Sequence, residues 1–363
     1  MSTIERTDVA IIGGGYYGAF VANEIKAQQP DLDVTIIERE AEPFTQASST
    51  NQGQFHMGYM YSADPELAHE CVENIEKFSD MFGDAVDHQV TSLYGIHEDS
   101  QISADGYAAF CNEVRLPLRA VDKPQEIFSK AVTTAFVSAE KTFNSSIIKK
   151  ILAGKLALND VKVVTGFDVQ RIEERPSGLQ VVSDDRIVEA DSVFNVTFAD
   201  INSLHENSGL PKIPVRHDTF LHFVLDLPEK YQNTAATVIR GPYASLLPSS
   251  FRQGHVLASG QFRRVQSTTM DKPTEEMTDE GARAIYEQAV EEASEYMPVL
   301  GLARYRDYTL GTRTAHFDQV TGAYTSKALV FKDFGGVPGY HAVLGGKVSC
   351  MFDVEKPIRS IVS

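Results

Sequence analysis

Two places in the 363-residue chain carry residue types whose spacing suggests chemistry. The first is Gly13-Gly14-Gly15-Tyr16-Tyr17-Gly18, which matches G-x-G-x-x-G at Gly13, Gly15 and Gly18. Glycine at the first position permits a tight turn, at the second lets backbone approach a pyrophosphate, and at the third lets a helix pack on a strand. The N–H groups and positive dipole end of the helix start complete an anion site. Glu38 follows Gly18 by 20 residues, the spacing expected of an acid that binds a ribose hydroxyl and disfavours a 2′-phosphate. The second place is Ser48 to Tyr61, dense in Ser, Asn, Gln, Gly, Tyr and His.

No second G-x-G-x-x-G occurs downstream, so NAD(P)H is not expected as a second substrate. An enzyme using NAD alone would keep its nicotinamide contacts in the next βα units; the polar stretch at 45–61 stands there instead. The histidines form no H-E-x-x-H or H-x-H arrangement, and no metal site is expected. Nor is there a G-x-S-x-G elbow or a thiol–histidine context for nucleophilic catalysis.

These residues need elements to position them. Val9-Ala10-Ile11-Ile12 and Val34-Thr35-Ile36-Ile37-Glu38 read as strands buried on both faces, with a helix at 19–26 between them and Pro30 ending it. Such a βαβ unit has parallel strands and a right-handed crossover. A helix is predicted over 65–82, and strands at 161–164, 178–190 (a hairpin around Asp184-Asp185) and 192–196. Residues 213–265 alternate strongly and turn at Gly241-Pro242 and Gln253-Gly254, as an inserted antiparallel sheet would. An amphipathic helix follows at 278–295. The fold class expected is mixed α/β: a Rossmann-type dinucleotide domain from 1–80, 140–212 and 305–363, and an antiparallel-sheet substrate domain from 81–139 and 213–304.

Composition narrows the partners. Lys+Arg 33 against Asp+Glu 50 gives a net charge of −17, which repels nucleic acid and anionic membranes. No apolar run reaches the length of a membrane span, and the polar opening Met1–Asp8 is not a signal peptide. Three widely spaced cysteines argue against a disulfide framework and fit a reduced cytoplasm.

The segment Ser48-Ser49-Thr50-Asn51-Gln52-Gly53-Gln54-Phe55-His56-Met57-Gly58-Tyr59-Met60-Tyr61 resembles the second motif of the FAD-dependent oxidoreductases related to D-amino-acid oxidase. More narrowly it is similar to the branch containing L-2-hydroxyglutarate and glycerol-3-phosphate dehydrogenases. Val164–Val169, Ala190–Thr197 with Leu204–Leu210, and Gly335–His341 with Gly345-Gly346-Lys347 resemble further parts of the FAD-binding half. Two positions depart from that pattern: Phe198 stands where a glycine is usual, and Gly345-Gly346-Lys347 is shifted from the common Gly-x-Gly. Phe82-Gly83-Asp84-Ala85, which resembles a flavin-monooxygenase motif, lies too early in the chain and reads as a turn.

The resemblance implies FAD as cofactor, held by Gly13, Gly15, Tyr16, Tyr17, Gly18, Glu38, Arg39, Ser48, Ser49, Asn51, Gln52, Gly53, Val169, Thr197, Gly345, Gly346 and Lys347. It implies oxidation of a C–H next to a hydroxyl or amine, with hydride moving to flavin N5. His56 is the expected base, since an imidazole of pKa near ~6.5 takes a proton at neutral pH, or else it merely packs on the flavin. Lys347 would face the flavin O2 edge, unless a helix N-terminus does that alone. Arg313, in Leu310-Gly311-Thr312-Arg313-Thr314, resembles the family's Gly-x-Arg element and suits a substrate carboxylate. Tyr59, Tyr61, Tyr243, Tyr340 and Arg263 are the expected pocket residues. Arg263 and Arg264 point to opposite faces of a strand, so at most one can serve, and Arg252 reads as a solvated turn residue. The substrate would be a small carboxylate-bearing molecule, with oxygen, a quinone or a protein as electron acceptor. An amine oxidase or biosynthetic tailoring oxidase acting on a larger substrate is the second reading, and a regulatory nucleotide-binding module the third.

Overall fold

The computed structural model describes residues 3–274 and 276–363. Met1 and Ser2, part of the polar opening, lie outside the described residues. Strand β1 (Thr3–Ile12) begins six residues before the apolar run and ends just before Gly13. Helix α1 (Tyr16–Gln28) follows, then β2 (Val34–Ile37), whose four residues are all buried. β1 pairs in parallel with β2 on one side and with Arg186–Asn195 on the other. The βαβ unit thus forms as its sequence dictates: apolar residues on both strand faces demand cover on both sides of the sheet.

These strands form the middle of an eight-stranded sheet in the order 171–175, 178–182, 186–195, β1, β2, 162–164. Tyr340–Leu344 adds in parallel beside Asn195, and Leu329–Phe331 pairs with it. Phe20, Val21 and Ile25 of α1 pack with Ile148 and Leu152 of helix Ser145–Leu158 and with Phe352 and Ile358 near the C-terminus. Gly13 has φ +110, and a side chain there would strike the Val196 carbonyl oxygen at 2.7 Å. At Gly18 a Cβ would lie 1.9 Å from the Gly13 carbonyl oxygen, so α1 can rest on the end of β1 only as glycine.

A second, ten-stranded sheet runs in the order 324–325, 304–317, 215–226, 254–259, 244–249, 234–239, 91–97, 132–138, 118–121, with 264–269 also paired to 215–226. Helix Asp279–Ser294, capped by the Thr278 side chain, buries Ala282, Tyr286, Ala289 and Ala293 with Phe223, Leu225 and Leu257 of this sheet. A small three-stranded sheet joins Gln54–Phe55, Lys141–Phe143 and Val86–Asp87.

The structure differs from expectation at several points. The helix over 65–82 is two helices, Pro65–Glu73 and Ile75–Phe82, meeting at Asn74, whose side chain bonds Glu70 O and Asp353. The strand at 192–196 is the end of the hairpin strand Arg186–Asn195. The larger sheet is mixed, because Thr234–Ile239 runs parallel to Thr91–His97. Arg304–Phe317, grouped by sequence with the dinucleotide segments, is hydrogen-bonded along the length of Val215–Asp226 in the larger sheet. Gly83–Ala85 is a single 3-10 turn, in agreement with its reading as a turn. No helix among the described residues is long and apolar enough to cross a membrane. Cys71, Cys111 and Cys350 are buried free thiols, and the Cys71 and Cys350 sulfurs lie 3.7 Å apart.

Two predictions follow from this packing. Gly18→Ala overpacks the β1–α1 junction, which typically costs about 1–3 kcal/mol. Thermal unfolding should show a Tm several degrees lower; an unchanged Tm would mean that the junction relaxes freely. The second concerns acid. Burial holds six histidines, His56, His205, His217, His222, His255 and His341, below the ordinary 6.5; His205, His222 and His341 fall to about 4. The unfolded chain therefore binds more protons at these sites, and their contribution to stability is lost as pH falls from about 7 towards 4. Burial raises Glu24, Glu140 and Asp353, which act in the opposite direction, but they are fewer. Tm should drop between pH 7 and pH 5; a rise would show that relief of the −17 charge outweighs the histidines.

Candidate functional site

A cavity of about 800 Å³ opens between the two large sheets, within the roughly 300–1,000 Å³ usual for ligand sites. Its first end is built on the β1–α1 turn. Gly13, Gly15, Tyr16, Tyr17 and Gly18 line it, with Glu38 and Arg39 from the end of β2. Glu38 is nearly buried; its carboxylate accepts from Gly14 N at 2.7 Å and Glu40 N at 2.9 Å. Arg39 pairs with Asp200 at 3.0 Å, and Lys272 reaches the same carboxylate at 3.3 Å. Val169, Thr197 and Phe198 complete this wall. Phe198, where the family pattern has glycine, is left-handed at φ +56, so the backbone keeps the glycine conformation without the glycine.

The middle is the polar loop. Ser48 Oγ accepts the Tyr16 amide at 3.1 Å, tying the loop to the helix start. Asn51 donates to Ser48 O at 2.8 Å and accepts from Gly53 N at 2.9 Å, which folds the loop on itself. Ser48, Asn51, Gln52 and Gly53 reach the cavity; Ser49 does not, since its hydroxyl bonds Phe44 O at 2.5 Å. Arg252 donates to Ser49 O at 2.7 Å, so it clamps this loop instead of being solvated.

At the far end His56, Gly345, Gly346 and Lys347 meet residues of the larger sheet. The Tyr17 hydroxyl bonds Lys347 O at 2.8 Å, fastening the C-terminal loop to α1. Burial, then the Lys347 charge, pushes His56 well below 6.5, so its imidazole is neutral. Burial and then Arg313 push the Lys347 amine down to about 8. Arg313 donates through Nη2 to Asp218 at 2.7 Å, and its guanidinium sits 5.0 Å from the Phe220 ring and 5.1 Å from the Tyr324 ring. Asp218 also accepts from Arg216 at 3.0 Å and Ser267 at 2.8 Å. Burial raises this carboxyl, but the Ser267 bond and the arginines outweigh it and hold it below the usual range. Arg263 lies 4.1 Å over the Tyr243 ring, and both face the cavity. Strand alternation does not separate the two arginines, because Arg263 ends a 3-10 turn and Arg264 opens the next strand, where its guanidinium lies 3.9 Å from the Asp218 carboxylate.

Tyr59 and Tyr340 are not brought to the cavity. Tyr59 is fully buried, with its hydroxyl on Pro117 O at 2.5 Å. Tyr340 opens a strand of the smaller sheet and packs in its core against His205. The sequence reading missed Phe220, His222, Arg240 and Tyr324, all on the cavity wall. A signal existed for two of them: period-2 alternation places Phe220 and His222 on one face, opposite the buried Leu221 and Phe223.

The cavity suits a flavin dinucleotide on its own geometry. A Cβ at Gly13 or Gly345 would collide with its surroundings, the latter with the Tyr17 ring at 2.9 Å. Six buried polar atoms on its wall lack partners among the described residues: Gln52 Nε2, Gln54 Oε1, His56 Nδ1, the Tyr61 hydroxyl, His222 Nδ1 and Arg313 Nε. Buried groups of this kind need a partner, and a polar ligand supplies one.

Comparison with known proteins agrees. The family described as FAD dependent oxidoreductase (DAO) matches residues 8–347. Mitochondrial L-2-hydroxyglutarate dehydrogenase of Caenorhabditis elegans is 32% identical over 79 residues, 22% of this chain and 18% of that protein. L-2-hydroxyglutarate dehydrogenase of Indibacter alkaliphilus is 34% identical over 65 residues, 18% of this chain and 16% of that one. The chain thus matches less than a fifth of the length of these relatives. Among solved structures, glycine oxidase from Geobacillus kaustophilus superposes with a TM-score of 0.70 at 16% identity, over 99% of this chain and 94% of that one. NikD, an amino acid oxidase of nikkomycin biosynthesis, gives 0.74 at 12%, over 99% and 95%. FAD-bound L-α-glycerophosphate oxidase from Mycoplasma pneumoniae gives 0.69 at 14%, over 99% and 95%. At these identities the superpositions establish the fold, and the family match over most of the chain establishes the rest: the chain belongs to the FAD dependent oxidoreductase family, whose cofactor is FAD.

Proposed function

We propose that this enzyme oxidises the C–H bond beside the hydroxyl of a small 2-hydroxy acid, with a 2-hydroxydicarboxylate as the favoured substrate. The observation that carries this reading is the charge at the far end of the cavity. Arg240, Arg263, Arg313 and Lys347 line it, and the buried Asp218 neutralises part of that charge. Arg240 and Arg263 have no carboxylate partner among the described residues. Such a field attracts carboxylates and repels a protonated amine, which favours hydroxy acids over amino acids. The curated relatives act, by their names, on a hydroxydicarboxylate, which supports the same reading.

The residues divide the work. Gly13, Gly15, Gly18, Glu38, Ser48, Asn51, Gln52, Gly53, Val169 and Thr197 would hold the dinucleotide. When bound, the flavin supplies the hydride acceptor. Arg313, its Nη2 held by Asp218, offers its remaining N–H groups to a substrate carboxylate. Neutral His56 accepts the hydroxyl proton as the C–H bond is broken. Lys347, with the backbone of Gly345 and Gly346, would supply positive charge to the bound flavin. The eight-stranded sheet is read as the cofactor half and the ten-stranded sheet as the substrate half. Three buried free thiols support a reducing, cytoplasm-like compartment.

The test is anaerobic flavin bleaching by a panel of 2-hydroxy acids and amino acids. Bleaching by 2-hydroxydicarboxylates is expected; bleaching by amines alone would sink the reading. His56→Ala should keep FAD and slow bleaching by about 10²–10⁴-fold. Arg313→Ala should weaken substrate binding by about 2–5 kcal/mol, seen as a raised half-saturation concentration.

A further inference from the structure

Beneath the His56 turn lies a buried acid that the proposed reaction does not use. Glu140 stands between Val132–Ser138 and Lys141–Phe143 and is 2% exposed. One carboxylate oxygen accepts from Gln54 Nε2 at 2.8 Å and from the Tyr94 hydroxyl; the other accepts from Met57 N at 3.2 Å. Its backbone is equally fixed: its N–H donates to Ser138 Oγ at 3.3 Å, and its carbonyl accepts from Ser92 Oγ at 2.7 Å. The next two residues, Lys141 and Thr142, pair with Phe55 and Gln54.

We propose that Glu140 is a positioning residue, which clamps the Gln54–Met57 turn from both sides and so fixes the His56 ring at the cavity wall. The proposal rests on the reading of His56 given above. Gln54 and Met57 bracket His56, whose own amide bonds back to Gln54 O at 3.0 Å. The same carboxylate takes the Tyr94 bond from the ten-stranded sheet, so it fixes the turn relative to the sheet that carries Arg313. No Lys or Arg pairs with Glu140 among the described residues, and burial pushes its carboxyl up to about 7 against the pull of these three bonds. A buried carboxylate without a cation costs stability, and an apolar side chain would fill the space more cheaply. What an apolar side chain cannot do is accept from both flanks of a two-residue turn and from the opposite sheet.

The experiment is a double-mutant cycle read by anaerobic flavin reduction with a substrate found in the panel above. Glu140→Gln keeps the shape but loses an acceptor. It should retain FAD and lower the limiting reduction rate about 10-fold or more, with little change in half-saturation. In a His56→Ala background the same substitution should cost almost nothing further, because the group it positions is gone. A purely structural role would give the same factor in both backgrounds, and that result, or an unchanged rate in Glu140→Gln, overturns the proposal. Should Glu140→Gln fail to fold, Tyr94→Phe removes one clamp bond and takes its place. It is expected to slow reduction to a lesser degree, again only while His56 is present; an equal effect without His56 overturns the proposal. If His56→Ala alone leaves reduction unchanged, the reading of His56 falls and this proposal with it. If His56→Ala is slow but the substitutions are additive, only the role of Glu140 falls.

Discussion

The structure depends on one close approach. The Gly13 carbonyl oxygen occupies the space that a side chain at Gly18 would fill. That contact lets α1 start directly above the end of β1, with the cavity opening at its first turn, where Gly15, Tyr16 and Tyr17 line the wall. Three anchors along the cavity are arranged around that opening. Ser48 bonds the Tyr16 amide, Glu38 bonds the Gly14 amide, and Tyr17 holds the C-terminal loop through Lys347 O. A bulkier turn would move the helix off the sheet and take all three anchors with it.

Charge is handled locally. The chain as a whole is strongly acidic, yet its cavity ends in Arg240, Arg263, Arg313 and Lys347, of which Arg313 pairs with the buried Asp218. Net charge governs encounters at long range; a site a few ångströms across is governed by what lies within it. Asp218 illustrates the difference. It is buried on strand Val215–Asp226 of the larger sheet, between Ser267 and Arg313 in register on two neighbouring strands. It aims the Arg313 guanidinium without cancelling the arginines around it. Neutral histidines at the same end, His56 and His222, are a consequence of that field together with burial.

Much of this was legible in the chain because the signals were local. The β1–α1 turn, Glu38 at the end of β2 and the polar loop from Ser48 to His56 are contiguous motifs whose residue types state their geometry. Tyr59 and Tyr340 show the limit. Each sits within or beside a motif, and each turns its ring into a core and not into the cavity. Residue type could not tell a pocket tyrosine from a packed one, because both bury a ring and tether a hydroxyl. Arg304–Phe317 shows the same limit at the level of elements, since its pairing with Val215–Asp226 joins segments about ninety residues apart.

The sequence by itself determined the βαβ unit, the dinucleotide turn, the alternating sheet and the family, since each is written in neighbouring residues and short periods. Only the tertiary structure decided which side chains share the cavity. His222, Arg240 and Tyr324 join it, Ser49, Tyr59 and Tyr340 do not, and Glu140 comes to lie under His56. The physical reason is register. Which face of a strand looks into the gap between two sheets depends on how distant strands pair, and that pairing is a property of the assembled sheets, not of any one segment.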